Sequence, residues 1–159
     1  MNPNPQQNNQ TSNQGKNQNN FFETINNNLK KELINKNISE LDIKSYIRPK
    51  GIADEIAKNT KIKRSQLRKF FNQVKELKNQ ISKYQSDTPI PQELSLKITT
   101  LLPKLAYAVG RNTIDRGFYE FMRILLEKLE QGKRKDFDAF EQIFEAIIAY
   151  HTYHHPTEG

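Results

Sequence analysis

Between Ser65 and Tyr84 the apolar residues are Leu67, Phe70, Phe71, Val74, Leu77, Ile81 and Tyr84, and their three- and four-residue spacing lays one stripe along an α-helix. Such a stripe needs a matching apolar surface, and the rest of the chain offers more of the same kind. Phe22, Ile25, Leu29, Leu33 and Ile34 recur at helical spacing, as do Leu94, Leu96, Ile98, Leu101 and Leu102. Phe118, Phe121, Met122, Leu125, Leu126 and Leu129 form another stripe, and Phe137, Phe140, Phe144, Ile147, Ile148 and Tyr150 the last. No stretch alternates with period two for long enough to make a strand. The expected fold is all-α, a compact bundle of about five helices with short loops and a disordered N-terminal tail.

Punctuation residues divide these stripes. Ser39 is a plausible N-cap for a short helical piece that stops before Pro49-Lys50-Gly51, and Ile52 to Lys58 reads as a short helix stopped at Asn59-Thr60. Gln85 to Pro91 reads as a linker, Pro103 is expected to kink or restart its helix, and Gly110 to cap the helix end. Residues 1–20 hold eight Asn and five Gln with no apolar side chain after Met1. That composition buries nothing to offset the entropy of ordering, so a disordered tail is expected there. One helical domain is expected over 21–155, with 156–159 a flexible C-terminus; 159 residues suit a single domain of this kind.

The charge pattern narrows function. Net charge is +7, but Lys44 to Lys83 alone hold twelve Lys or Arg against three acids. Asp115 to the end holds six basic residues against nine acids. A polyanion would approach the middle segment, and a basic neighbour the C-terminal one.

Catalytic candidates are thin. With no Cys in the chain, disulfide scaffolds, thiolate zinc sites and Cys nucleophiles are excluded. His151, His154 and His155 have a spacing that could put two imidazoles on one helical face for a metal, but no acid sits among them, and cations near a helix C-terminus are favourable in their own right. Glu127, Glu130, Asp136, Asp138 and Glu141 alternate with Lys128, Lys133, Arg134 and Lys135, which reads as an exposed salt-bridged face. The glycines are isolated, so no phosphate loop is present. No enzyme, metal or cofactor is expected. Without a long apolar run or a secretory leader pattern, the protein is expected to be soluble and cytoplasmic.

The basic helix is the stronger signal. With its apolar stripe in a core, it must display Arg64, Arg68, Lys69 and Lys75, preceded by Lys61 and Lys63, where a phosphodiester backbone could reach them. Such contacts position a protein without reading sequence. A second reading takes Ile52 to Ala57, a turn over 59–63 and the helix from Ser65 as a helix-turn-helix of a DNA-binding regulator, although the turn lacks Gly and the second helix is long. A third is a protein-only scaffold subunit.

Three blocks taken together resemble a known family: Ser65-Gln66-Leu67-Arg68-Lys69-Phe70-Phe71-Asn72-Gln73-Val74, Leu102 through Pro103-Lys104-Leu105-Ala106-Tyr107-Ala108-Val109-Gly110 to Arg111, and Glu145 to His154. In this order they are similar to the small subunit of type III-A CRISPR effector complexes, the Csm small subunit, over roughly Ile43 to His154. The resemblance implies a helical, non-catalytic protein for antiviral defence, stacked in several copies beside the large subunit and the backbone subunits along the guide RNA and target RNA. It adds Lys104 and Arg111 to the expected RNA-binding residues, matches Arg68 and Lys69 to a basic pair, and implies self-association. Tyr107 could stack on a base, but within an apolar block it is expected first in the core, and Gly110 is expected to turn the chain so that Arg111 projects.

Overall fold

Helix α8 (Arg134–His154) is the element against which most of the others pack. In the computed structural model, which describes residues 5–156, it follows α1 (Pro5–Asn35), a 3₁₀ turn (Ile38–Glu40), α2 (Ile43–Ile47), α3 (Ile52–Asn59), α4 (Arg64–Ile81), α5 (Gln92–Thr99), α6 (Leu101–Gly110) and α7 (Arg116–Leu129). Phe137, Phe140, Ile143, Phe144 and Ile147 are buried on α8, a run at helical spacing that faces α2, α3, α4 and the 3₁₀ turn. Phe71 of α4 meets Phe144 edge-on at 6.0 Å, and Phe140 stacks on Phe144 at 6.1 Å. The buried side chains form one continuous core.

The fold is all-α, as expected, and eight α-helices are present among the described residues where the sequence predicts about five. The additional ones are short. An isolated helix as short as α3 is unstable in water, and α3 persists because Ala53, Ile56 and Ala57 are buried against the core. The break between α5 and α6 falls at Thr100, before Pro103. Pro103 sits in the first turn of α6, where its missing N–H has no helical partner to lose. Gly110 is still helical, and the left-handed turn falls at Asn112, φ 59°, a residue type that tolerates it.

Helix α1 begins at Pro5, ahead of the expected start near Phe21; Met1 to Asn4 and Thr157 to Gly159 lie outside the described residues. Full burial begins at Phe22 and continues through Asn26, Leu29 and Leu33, one turn earlier Gln18 donates to the Asn59 carbonyl at 2.6 Å, and from a packed segment each added helical residue is far easier to form than a new nucleus. Helix α1 lies along α7, where Gly117 permits close approach: a Cβ there would lie 2.2 Å from the Phe22 ring. Asn26 donates to the Gly117 carbonyl at 3.2 Å.

The start of α8 is tied into two other segments. Arg134 and Lys135 donate their backbone N–H groups to the carbonyls of Thr88 and Ser86, at 2.9 and 3.0 Å, so the expected linker is a bonded brace. Asp136, expected on an exposed charged face, is 1% exposed. Its carboxylate accepts the Ser39 N–H at 2.9 Å and the Lys133 N–H at 2.8 Å. Ser39 is thus inside the 3₁₀ turn and held by α8, and the N-cap of that turn is Asn37. Lys133, Arg134 and Lys135 around it are only half-buried, and the Asp136 carboxylate is tolerated inside because two backbone N–H groups, one on each side of the junction, donate to it.

Asp136→Ala leaves two backbone donors without their partner, and the unfolding free energy should drop by about 2–4 kcal/mol. Urea denaturation would measure it; an unchanged midpoint would mean that this junction does not organise α8.

Candidate nucleic-acid interface

Phe70 and Ala108 lie along a groove of about 750 Å³ between α4 and α6. Gln66, Lys69 and Gln73 line its α4 side; Pro103, Lys104, Tyr107, Arg111 and Thr113 line the other. Its position follows from local periodicity. Leu67, Phe70, Val74 and Leu77 turn into the core, and one step around the helix Gln66, Lys69 and Gln73 form an adjacent row. On α6, Leu101, Leu105 and Ala108 are buried, and Lys104, Tyr107 and Arg111 form the adjacent row at three- and four-residue spacing.

The expected basic residues therefore divide into groups. Lys69, Lys104 and Arg111 come together at the groove. Arg68 and Lys75 are exposed on another side of α4, seven residues and thus about two turns apart, and the Lys75 ammonium stands 4.6 Å from the Phe71 ring centroid. Lys61 and Lys63 are exposed in the α3–α4 connection, where the Lys61 N–H donates to Asp115 at 3.3 Å. Arg64 is a structural residue: it donates through Nη2 to the His155 carbonyl at 2.6 Å and ties the start of α4 to the end of α8. Its guanidinium is half-buried there, so it does not share the exposure of Arg68.

Tyr107, expected in the core, is 66% exposed. Arg111 Nη1 donates to its hydroxyl at 3.1 Å, and the guanidinium lies 5.8 Å from the ring centroid. The residue was misplaced because its block is apolar overall. The signal was available in the phase: Tyr107 falls between Lys104 and Arg111 on one helical row, away from Leu101, Leu105 and Ala108.

The histidines separate. His151, 1% exposed, has Nε2 2.8 Å from the Ile62 carbonyl, which can only accept, so that nitrogen carries the proton. His154 Nε2 lies 2.5 Å from Asp54 Oδ1. Asp54 is held below its ordinary carboxyl value, first by the Lys50 backbone N–H, with burial opposing and His154 adding to the effect. Carboxylates of the C-terminal segment also reach across helices. Lys78 of α4 pairs with Asp138 at 2.6 Å and Glu141 at 3.0 Å. Burial opposes its charge, but those two contacts outweigh it and hold its ammonium above the ordinary lysine value. Arg123 pairs with Glu120 and Glu127 along α7, and Lys135 with Asp87.

The α3–α4 pair lacks helix-turn-helix packing. Both helices lie mainly against α8 rather than on each other, and residues 60–63 between them are extended rather than a tight turn. No helix among the described residues is long and apolar enough to cross a membrane.

Fold and groove define a small all-α bundle with a cationic cleft edged by an exposed aromatic ring. The family model described as Csm2 Type III-A matches residues 44–157, from α2 through α8, leaving α1 outside. The chain belongs to this family, the small subunit of the type III-A Csm complex of CRISPR systems. No curated protein and no solved structure gives a significant match.

Two stability predictions follow from these contacts. Arg64→Ala should lower the unfolding free energy by about 1–3 kcal/mol, while Arg68→Ala should change it by no more than about 0.5 kcal/mol. Equal effects in chemical denaturation would refute the division of roles. Asp54, with a depressed carboxyl pKa, stabilises the fold fully above its ordinary pKa of 3.8, and that contribution fades as pH falls through the lower folded-state value. The stability difference between wild type and Asp54→Asn should accordingly shrink in acid below pH 3.8; a difference that grows there would contradict the assignment.

Proposed function

We propose that this chain is a non-catalytic, RNA-contacting small subunit of the type III-A Csm effector complex, acting in the cytoplasm. Lys69, Lys104 and Arg111 at the groove, with Arg68, Lys75, Lys61 and Lys63 around it, bind guide RNA and target RNA through phosphates. Arg64 supports them by holding α4 against α8. Sequence is read by base pairing between the RNA strands, and the protein supplies positive charge at fixed spacing. The folded unit is the single helical domain over 21–155, with the Asn/Gln-rich tail outside its packed core. The acidic faces of α7 and α8 are available to neighbouring copies and to the large and backbone subunits.

The observation that carries this reading is the convergence of Lys69 and Lys104, from separate sequence blocks, with Arg111 on a groove without a carboxylate in its lining. Three like charges on one groove call for an anionic partner, and a phosphate backbone supplies charge at regular spacing.

Fluorescence anisotropy with single-stranded RNA across a salt series tests the proposal. Charge reversal in a Lys69→Glu/Lys104→Glu variant should weaken binding and flatten the log-log salt slope by at least about 1.4, since each neutralised phosphate contributes about 0.7 on a single strand. An unchanged slope would transfer these lysines to protein contacts.

A further inference from the structure

Four other grooves on the described surface each include a carboxylate: Glu127, Asp54 with Glu55, Glu120, and Glu145. The α4–α6 groove instead combines three cations, two side-chain amides and the exposed face of an aromatic ring. We propose that this groove takes an unpaired RNA nucleotide, with its base against Tyr107 and its phosphates on Lys69 and Lys104. This inference rests on the RNA-contacting reading above and goes beyond it, because backbone contact alone needs no ring.

Phosphate binding alone would be served by the lysines. A tyrosine 66% exposed on a helix contributes little to the core, and its ring stands at the groove edge beside Arg111, which donates to the hydroxyl at 3.1 Å. Stacking on an aromatic side chain is available to a base that has left its neighbours, whereas bases inside an A-form duplex have both faces covered. Gln66 and Gln73, across the groove, carry amides that both donate and accept, suited to a base edge without strict choice of base. The groove volume of about 750 Å³ lies within the range of small-ligand pockets, so a nucleotide fits and a double helix does not.

The test uses the full chain with an unstructured single-stranded RNA and a blunt RNA duplex, each read by anisotropy, for wild type, Tyr107→Ala and Tyr107→Phe. Circular dichroism confirms that the variants are folded, which the exposure of Tyr107 leads one to expect. Tyr107→Ala should weaken single-strand binding about five- to a hundredfold and leave duplex binding within about twofold, and Tyr107→Phe should restore most of the loss. A single strand carrying 2-aminopurine should show fluorescence quenching with wild type and Tyr107→Phe, but not with Tyr107→Ala. If wild type binds RNA with a salt slope that Lys69→Glu/Lys104→Glu flattens, yet Tyr107→Ala binds the single strand as wild type does, the nucleotide site is overturned and the backbone reading stands. In that event the ring belongs to a protein contact. If wild type binds neither RNA, both readings fall together.

Discussion

The buried face of α8 is the constraint on which the rest of the molecule depends. Phe137, Phe140, Ile143, Phe144 and Ile147 lie fully inside, and α2, α3, α4 and the 3₁₀ turn are placed by packing against them. Burying each large side chain of this kind contributes roughly 1.5–3 kcal/mol, against about 1 kcal/mol for a typical hydrogen bond. The polar contacts therefore choose among packings and the aromatic row supplies most of the cohesion. Asp136 shows how that choice is made. By accepting from Ser39 and Lys133 it selects one rotation and one depth for α8 against the preceding turn.

The position of α4 connects the core to the surface. Leu67, Phe70 and Val74 hold its inner face, and Lys78 anchors its later turns through Asp138 and Glu141. With both contacts made, α4 cannot roll, so Lys69 is presented towards α6 and Arg68 away from it. Helix α6 takes its own angle from the break at Thr100 and from packing on α5 and α7. The cationic groove is the space left between two helices oriented by separate contacts, and neither helix alone contains it.

Helix phase and side-chain exposure were unequally legible in the residue order. The long stripes all fell on helices, the one from Leu94 to Leu102 divided between α5 and α6, because a period of 3.6 residues is a property of neighbouring positions and needs no partner to be recognised. The boundaries moved where a side chain found a distant bond, as at the expected linker, whose Ser86 and Thr88 carbonyls receive donors from α8. Of the expected basic residues, Lys69, Lys104 and Arg111 meet at one place and Arg64 is engaged at the helix terminus. Tyr107 was placed in the core ahead of a stacking role because apolar neighbours in sequence were taken for neighbours in space.

The sequence by itself determined the all-α class, the placement of the main helices and the surplus of positive charge in the middle segment, since composition and periodicity are local. Tertiary structure alone decided which charges face outward. Asp136 and His151 are buried, Lys78 is shared between two carboxylates of another helix, and Tyr107 stands exposed beside Arg111. The reason is geometric: a side chain's surroundings depend on the azimuth and spacing of helices far away in the chain, and those are settled only when the core closes around α8.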